Sequence, residues 1–129
     1  MGDLGFFGKY SNDGLNIQIG LDIIRFTEDG ITFMYAPALD ITGYGENEVK
    51  ARQSFELTME EFLKYTLNKG TFRKELERLG WRVKGRKNNQ KFIPPYFDKL
   101  FQERDYLAEI FREKDFTKQN EEVAIPIPA

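Results

Sequence analysis

Leu15-Asn16-Ile17-Gln18-Ile19-Gly20-Leu21-Asp22-Ile23 is the stretch that decides the fold: apolar residues hold every odd position, polar or small ones every even position. A period of two puts all five aliphatic side chains on one side of an extended strand, which argues for a strand with one face buried. Downstream, Thr27-Glu28-Asp29-Gly30 supplies turn chemistry, and Ile31, Phe33 and Tyr35 restart the alternation before Pro37 closes it. The pair reads as a β-hairpin.

Working outward, Ala38 to Tyr44 reads as a short third strand or extended loop, with Gly43 and Gly45 permitting a sharp bend. A helix follows. Asn47 is placed to cap it, and Ala51, Phe55, Met59, Phe62, Leu63, Thr66 and Leu67 recur at three- and four-residue spacing until Asn68-Lys69-Gly70. Thr71 is a cap for a second helix, with Phe72, Leu76 and Leu79 on one face and Gly80 as its stop. Trp81 to Lys84 and Lys91 to Ile93 flank a polar turn and form a second small hairpin, ended by Pro94-Pro95. Phe97, Leu100, Phe101, Leu107 or Ala108, and Phe111 fit a helix; Tyr106, Ala108 and Ile110 also alternate, and we read helix. The proline-alternating segment Val123 to Pro128 suits an edge strand or polyproline segment, not a central strand. The fold class is therefore α+β, with a small antiparallel sheet, C-terminal helices, a short hairpin and an edge segment.

The composition bounds the chemistry. With 129 residues, 40% of them hydrophobic and 15% aromatic, the chain is long and apolar enough to bury a core as one domain. It contains no His and no Cys, which removes His-based catalytic pairs and ordinary zinc, iron-sulfur or haem-thiolate sites. We expect no catalytic residue, metal or cofactor, and the absence of Cys fits a reducing, cytoplasmic setting. A formal charge of −2 lacks the broad cationic signature of a nucleic-acid coat. No basic n-region follows Met1, and no window approaches the about 18 apolar residues of a span, so we expect no signal peptide and no membrane.

Among local constellations, Asp22, Glu28, Asp29 and Asp40 are the candidate acidic cluster, although such residues are common at strand ends and turns. Glu56, Glu60 and Glu61 fall on or near the solvent face of the long helix. Gly43-Tyr44-Gly45 resembles an anion-binding loop only superficially, since it lacks the spacing and the Lys, and Glu46 and Glu48 would repel phosphate. Arg82, Lys84, Arg86, Lys87 and Lys91, set between Trp81 and Phe92, are the best candidates for nucleic-acid or anion contact. Val123, Ile125 and Ile127 are the candidate partner-binding edge.

The run Ile24-Arg25-Phe26, Phe33 to Asp40, Gly43 to Asn47, and the helix with Ala51 and Ser54-Phe55 resembles the N-terminal domain of HicB-like antitoxins, over roughly residues 15 to 70. Lys50 stands where that family has a Glu before Ala51, which removes the reciprocal capping contact. The resemblance implies a β-β-β-α core (double-stranded-RNA-binding-domain-like, partial RNase H-like) in residues 1–70, with residues 71–129 as an extension packed on the same domain. It also implies a non-enzymatic module that masks a HicA-like toxin or self-associates, and we expect a homodimer. The family's C-terminal DNA-binding patterns have no match in residues 71–129. Leu76 to Val83 is weakly similar to HicA-like toxins, but their catalytic His is missing. The alternative reading is RNA or single-strand binding through the basic hairpin.

Overall fold

A computed structural model describes residues 16–84 and 91–126. Three strands come first: β1 (Asn16–Glu28), β2 (Ile31–Ala36) and β3 (Ile41–Gly45). Helices α1 (Glu48–Lys69) and α2 (Phe72–Arg78) follow, then strands β4 (Arg82–Lys84) and β5 (Lys91–Ile93). Helices α3 (Phe97–Glu103) and α4 (Asp105–Glu113) lead into β6 (Phe116–Pro126). The main sheet is antiparallel and four-stranded in the order β3-β2-β1-β6, and β4 and β5 form a separate ladder. The α+β architecture with a small antiparallel sheet follows the sequence reading.

The β1–β2 hairpin turns at Asp29-Gly30, where both residues have positive φ (53° and 78°). That pairing of left-handed residues matches the right-handed twist of the flanking strands. β1 runs beyond Ile23, and its alternation breaks because Ile23 and Ile24 are both buried. The cause is that helices cover both faces of the sheet. On one face, α1 lies over Leu21, Ile23, Met34 and Ala36, with Ala51, Phe55, Met59 and Leu63 facing inward. On the other, Tyr106 of α4 meets Phe26 and Tyr35 edge-on, and Phe111 stacks on Phe116 at 4.1 Å.

The ends of α1 are set locally. Asn47 Oδ1 accepts from the Lys50 amide at 2.9 Å, and Gly70, at φ 69°, ends the helix while the Thr71 amide reaches back to the Thr66 carbonyl. Thr71 precedes α2 as expected, yet its side chain makes no capping hydrogen bond. Gly43 and Gly45 do not bend the chain. They lie within β3, and a Cβ on Gly43 would sit 2.3 Å from the Phe55 amide nitrogen, and one on Gly45 2.5 Å from Lys50 Cβ. Their role is to let α1 lie close on β3. Residues 37–40 form a turn in which Asp40 takes a left-handed φ of 56°, so that Ala38 to Asp40, expected as the start of a strand or extended loop, precede β3.

The expected helix after the prolines is two helices, interrupted at Arg104 (φ −107°, ψ 99°). The guanidinium of Arg104 donates to the carbonyls of Pro37 (3.1 Å) and Leu79 (2.9 Å), and this tertiary anchor holds its backbone extended. Trp81, buried, donates its indole N–H to the Ala38 carbonyl at 2.8 Å. The 37–40 turn is thus held from the C-terminal part of the chain.

Gly43→Ala is expected to destabilise the fold by about 2 kcal/mol or more, the cost of overpacking a close backbone contact. Gly30→Ala, with open space around its Cβ position, should cost only the about 1–2 kcal/mol of a left-handed L-residue. Urea unfolding of both variants checks the order.

Candidate functional site

β6 is an edge strand. Its inner side pairs with β1 without interruption from Phe116 opposite Phe26 to Pro126 opposite Asn16, and no further strand lies outside it among the described residues. The strand is longer than the proline-containing segment that marked it in the sequence. Val123 and Ile125 stand opposite Ile19 and Ile17; Ile127 lies outside the described residues.

Between Lys118 and Glu121 the side chains of β6 are fixed by polar contacts. Glu121 is 3% exposed and reaches toward α1, where Arg52 Nη1 and Nη2 donate to its two carboxylate oxygens at 3.2 and 2.6 Å. Gln119 Nε2 donates to the same carboxylate at 2.5 Å. That hydrogen-bonded pairing with Glu121 holds the Arg52 guanidinium above its ordinary range, against the opposing effect of burial. On the other face, Lys118 lies 3.6 Å from Asp22 and 5.0 Å from the centre of the Phe97 ring. Asn120 donates to Asp22 at 3.2 Å, across the space that the missing side chain of Gly20 leaves open.

The second surface is the β4–β5 ladder. Val83 and Phe92 are buried opposite one another, so the flanking Arg82, Lys84 and Lys91 project outward and are exposed. Lys84 stands directly opposite Lys91. Arg86 and Lys87 lie outside the described residues. Trp81 belongs to the core and is not available to stack on a base.

The candidate acidic residues are not brought together. Asp22 pairs with Lys118 and Asn120, Glu28 with Lys114 at 3.0 Å, and Asp40 accepts from the Tyr35 hydroxyl at 2.7 Å. Among the described residues no group of three carboxylates converges on a point where a metal ion could sit. Glu56 lies 4.0 Å from Arg52, Glu61 is exposed and Glu60 partly so, while Glu48 pairs with Arg25. Among the described residues no helix is long and apolar enough to cross a membrane. Comparison with protein-family models, with curated proteins and with solved structures gives no match.

Sequence reasoning missed the Arg52–Glu121 contact because the two residues are 69 positions apart and each looks like an ordinary surface charge. It also missed the buried phenol of Tyr35, whose ionisation is pushed upward by burial first and by the hydrogen bond and negative charge of Asp40 next.

Arg52→Met should cost about 2–3 kcal/mol by leaving the Glu121 carboxylate buried without its partner, somewhat less than a fully buried pair. Adding Glu121→Leu should recover most of that loss, because an apolar pair replaces the charges. Denaturant melts of the single and double variants check this. For Tyr35 the folded ionisation lies above the unfolded value of about 10, so the folded state favours the neutral phenol. Its stabilisation is present below that pH and is lost as pH rises past it. Tyr35→Phe should therefore be less stable at neutral pH by about 0.5–1.5 kcal/mol, with a flatter decline in melting temperature above about pH 10.

Proposed function

We propose that the chain is a non-enzymatic protein-interaction module of the HicB antitoxin kind. It pairs with a second copy of itself along β6 and, so assembled, binds and masks a small HicA-like toxin. The observation that carries this reading is the outer edge of β6, eleven residues long and unpaired by any strand among the described residues. Such an edge presents a row of N–H and C=O groups that another strand can satisfy. The opposite edge, β3, is five residues long.

A two-fold axis makes two β6 strands antiparallel, so one edge serves both protomers. With the axis at Asn120, Lys118 of one protomer stands opposite Glu122 of the partner subunit, and both side chains are exposed. An opposite-charge cross-strand pair of that kind contributes about 0.2–1 kcal/mol and sets register. The toxin half of the reading is supported by the resemblance of residues 15 to 70, and the net negative charge suits a basic RNase surface.

Consecutive amides of an edge strand point alternately inward to the ladder and outward, so only one of Thr117→Pro and Lys118→Pro removes a bond to β1. The variant that keeps wild-type stability is expected to be monomeric by sedimentation equilibrium, while the wild type is dimeric. A monomeric wild type, or a dimer that survives both substitutions, contradicts self-pairing. Zero-length carbodiimide coupling should join Lys118 to Glu122 of the partner subunit. Added chain should suppress RNA cleavage by a HicA-like toxin in stoichiometric proportion; cleavage that persists at excess refutes the antitoxin half.

A further inference from the structure

The outward face of β4–β5 continues into a cleft of about 180 Å³, bordered by Arg82, Ile93, Pro94, Pro95, Tyr96 and Lys99. Arg82 stands opposite Ile93 on the ladder, and Lys84 opposite Lys91 comes next along it. The same face therefore carries Lys99 and Arg82 at the cleft and Lys84 with Lys91 beyond it. Arg82 and Lys84 are a two-residue step apart on β4, about 6–7 Å of rise.

Three features of this stripe ask for an anionic, ring-bearing ligand. First, Lys84 and Lys91 are like charges directly opposite, an unfavourable arrangement, and neither they nor Arg82 forms an ion pair among the described residues. Second, the nearest carboxylate to Lys99 is Glu103 at 4.0 Å, with both side chains about half exposed, a loose contact that an incoming phosphate can displace. Third, Tyr96 is 78% exposed at the cleft mouth, the most open large apolar side chain among the described residues. Its backbone leaves Pro94-Pro95 in extended geometry (φ −67°, ψ 149°), so the ring is presented by a stiff support. Gly80, at φ 101°, keeps the floor open, since a Cβ there would lie 3.3 Å from Pro95.

We propose that this surface binds single-stranded nucleic acid, with backbone phosphates on Arg82, Lys84 and Lys91 and one base stacked on Tyr96 beside Lys99. A stacking platform next to a cationic track is the arrangement that takes unpaired bases. A duplex, whose bases are already stacked, gains only the phosphate contacts. The surface shares no residue with β6, so its test is independent of self-association.

The experiment is fluorescence anisotropy of the full chain with a labelled oligo-U, a labelled oligo-dT and a duplex, at about 50 and about 200 mM salt. The single strands should bind more tightly than the duplex and weaken as salt rises. Lys84→Glu with Lys91→Glu should cost at least about tenfold and flatten the log-log salt slope by about 0.7 for each phosphate no longer neutralised. Tyr96→Ala should cost roughly tenfold with an unchanged salt slope, and Tyr96→Phe should restore binding, because the ring and not the hydroxyl stacks. Melting temperatures of all variants should match wild type, since every altered side chain is exposed. Equal affinity for the duplex, no effect of Tyr96→Ala, or competition by polyglutamate as strong as by an oligonucleotide of equal charge overturns the proposal. No binding by the wild type at low salt overturns it outright.

Discussion

Strand β1 is paired on both sides from residue 24 to residue 26, and helices cover both faces of the sheet around that stretch. From residue 16 to residue 26 its partner is β6, and from residue 24 to residue 28 it also pairs with β2. A strand in that position must bury consecutive side chains, and Ile23 and Ile24 do so at 0% exposure each. α1 covers the side of Ile23 and α4 the side of Ile24. The two open edges, β3 and β6, then follow from the strand order alone.

Those two edges are treated differently. β3 is held under α1 by a backbone approach that only glycine permits at positions 43 and 45. β6 is tied to α1 by one buried carboxylate and to the opposite face by Phe116 and Lys118. A polar tie has a steep angular dependence, so Glu121 fixes where β6 lies along β1 as well as holding it there. That is the property an edge needs if a second strand is to pair with it in one register. The same logic separates β6 from the β4–β5 ladder, where Arg82, Lys84 and Lys91 are exposed and form no ion pair among the described residues.

Much of the fold is legible because local rules and tertiary placement agree. The apolar positions Leu21 and Ile23 of the β1 alternation, the Asp29-Gly30 turn, the stripe from Ala51 to Leu67 and the capping residues Asn47 and Gly70 each have one physical reading, while Leu15 lies outside the described residues. The first half of β6 is not legible: Thr117-Lys118-Gln119-Asn120-Glu121-Glu122 is polar at every position. It folds as strand because Gln119 and Glu121 satisfy each other and Arg52 on one face, while Lys118 and Asn120 share Asp22 on the other. Arg104 breaks a helix for tertiary reasons that periodicity does not carry. The glycines of β3 suggest flexibility and serve close approach, two roles that look the same in a sequence. Arg82 is visible as part of a basic hairpin, but Tyr96 and Lys99 join it only through the path of the chain after Pro95.

Self-association of the chain is proposed to run through the outer edge of β6, which no strand covers among the described residues. Hydrogen exchange of the amides of residues 117 to 122, followed across a concentration series, tests it most directly. Self-pairing predicts that the inward amides exchange slowly at every concentration, while the outward amides change from fast to slow as concentration rises through the dimer range. Outward amides that exchange at one fast rate throughout, at concentrations where sedimentation reports a dimer, would contradict it.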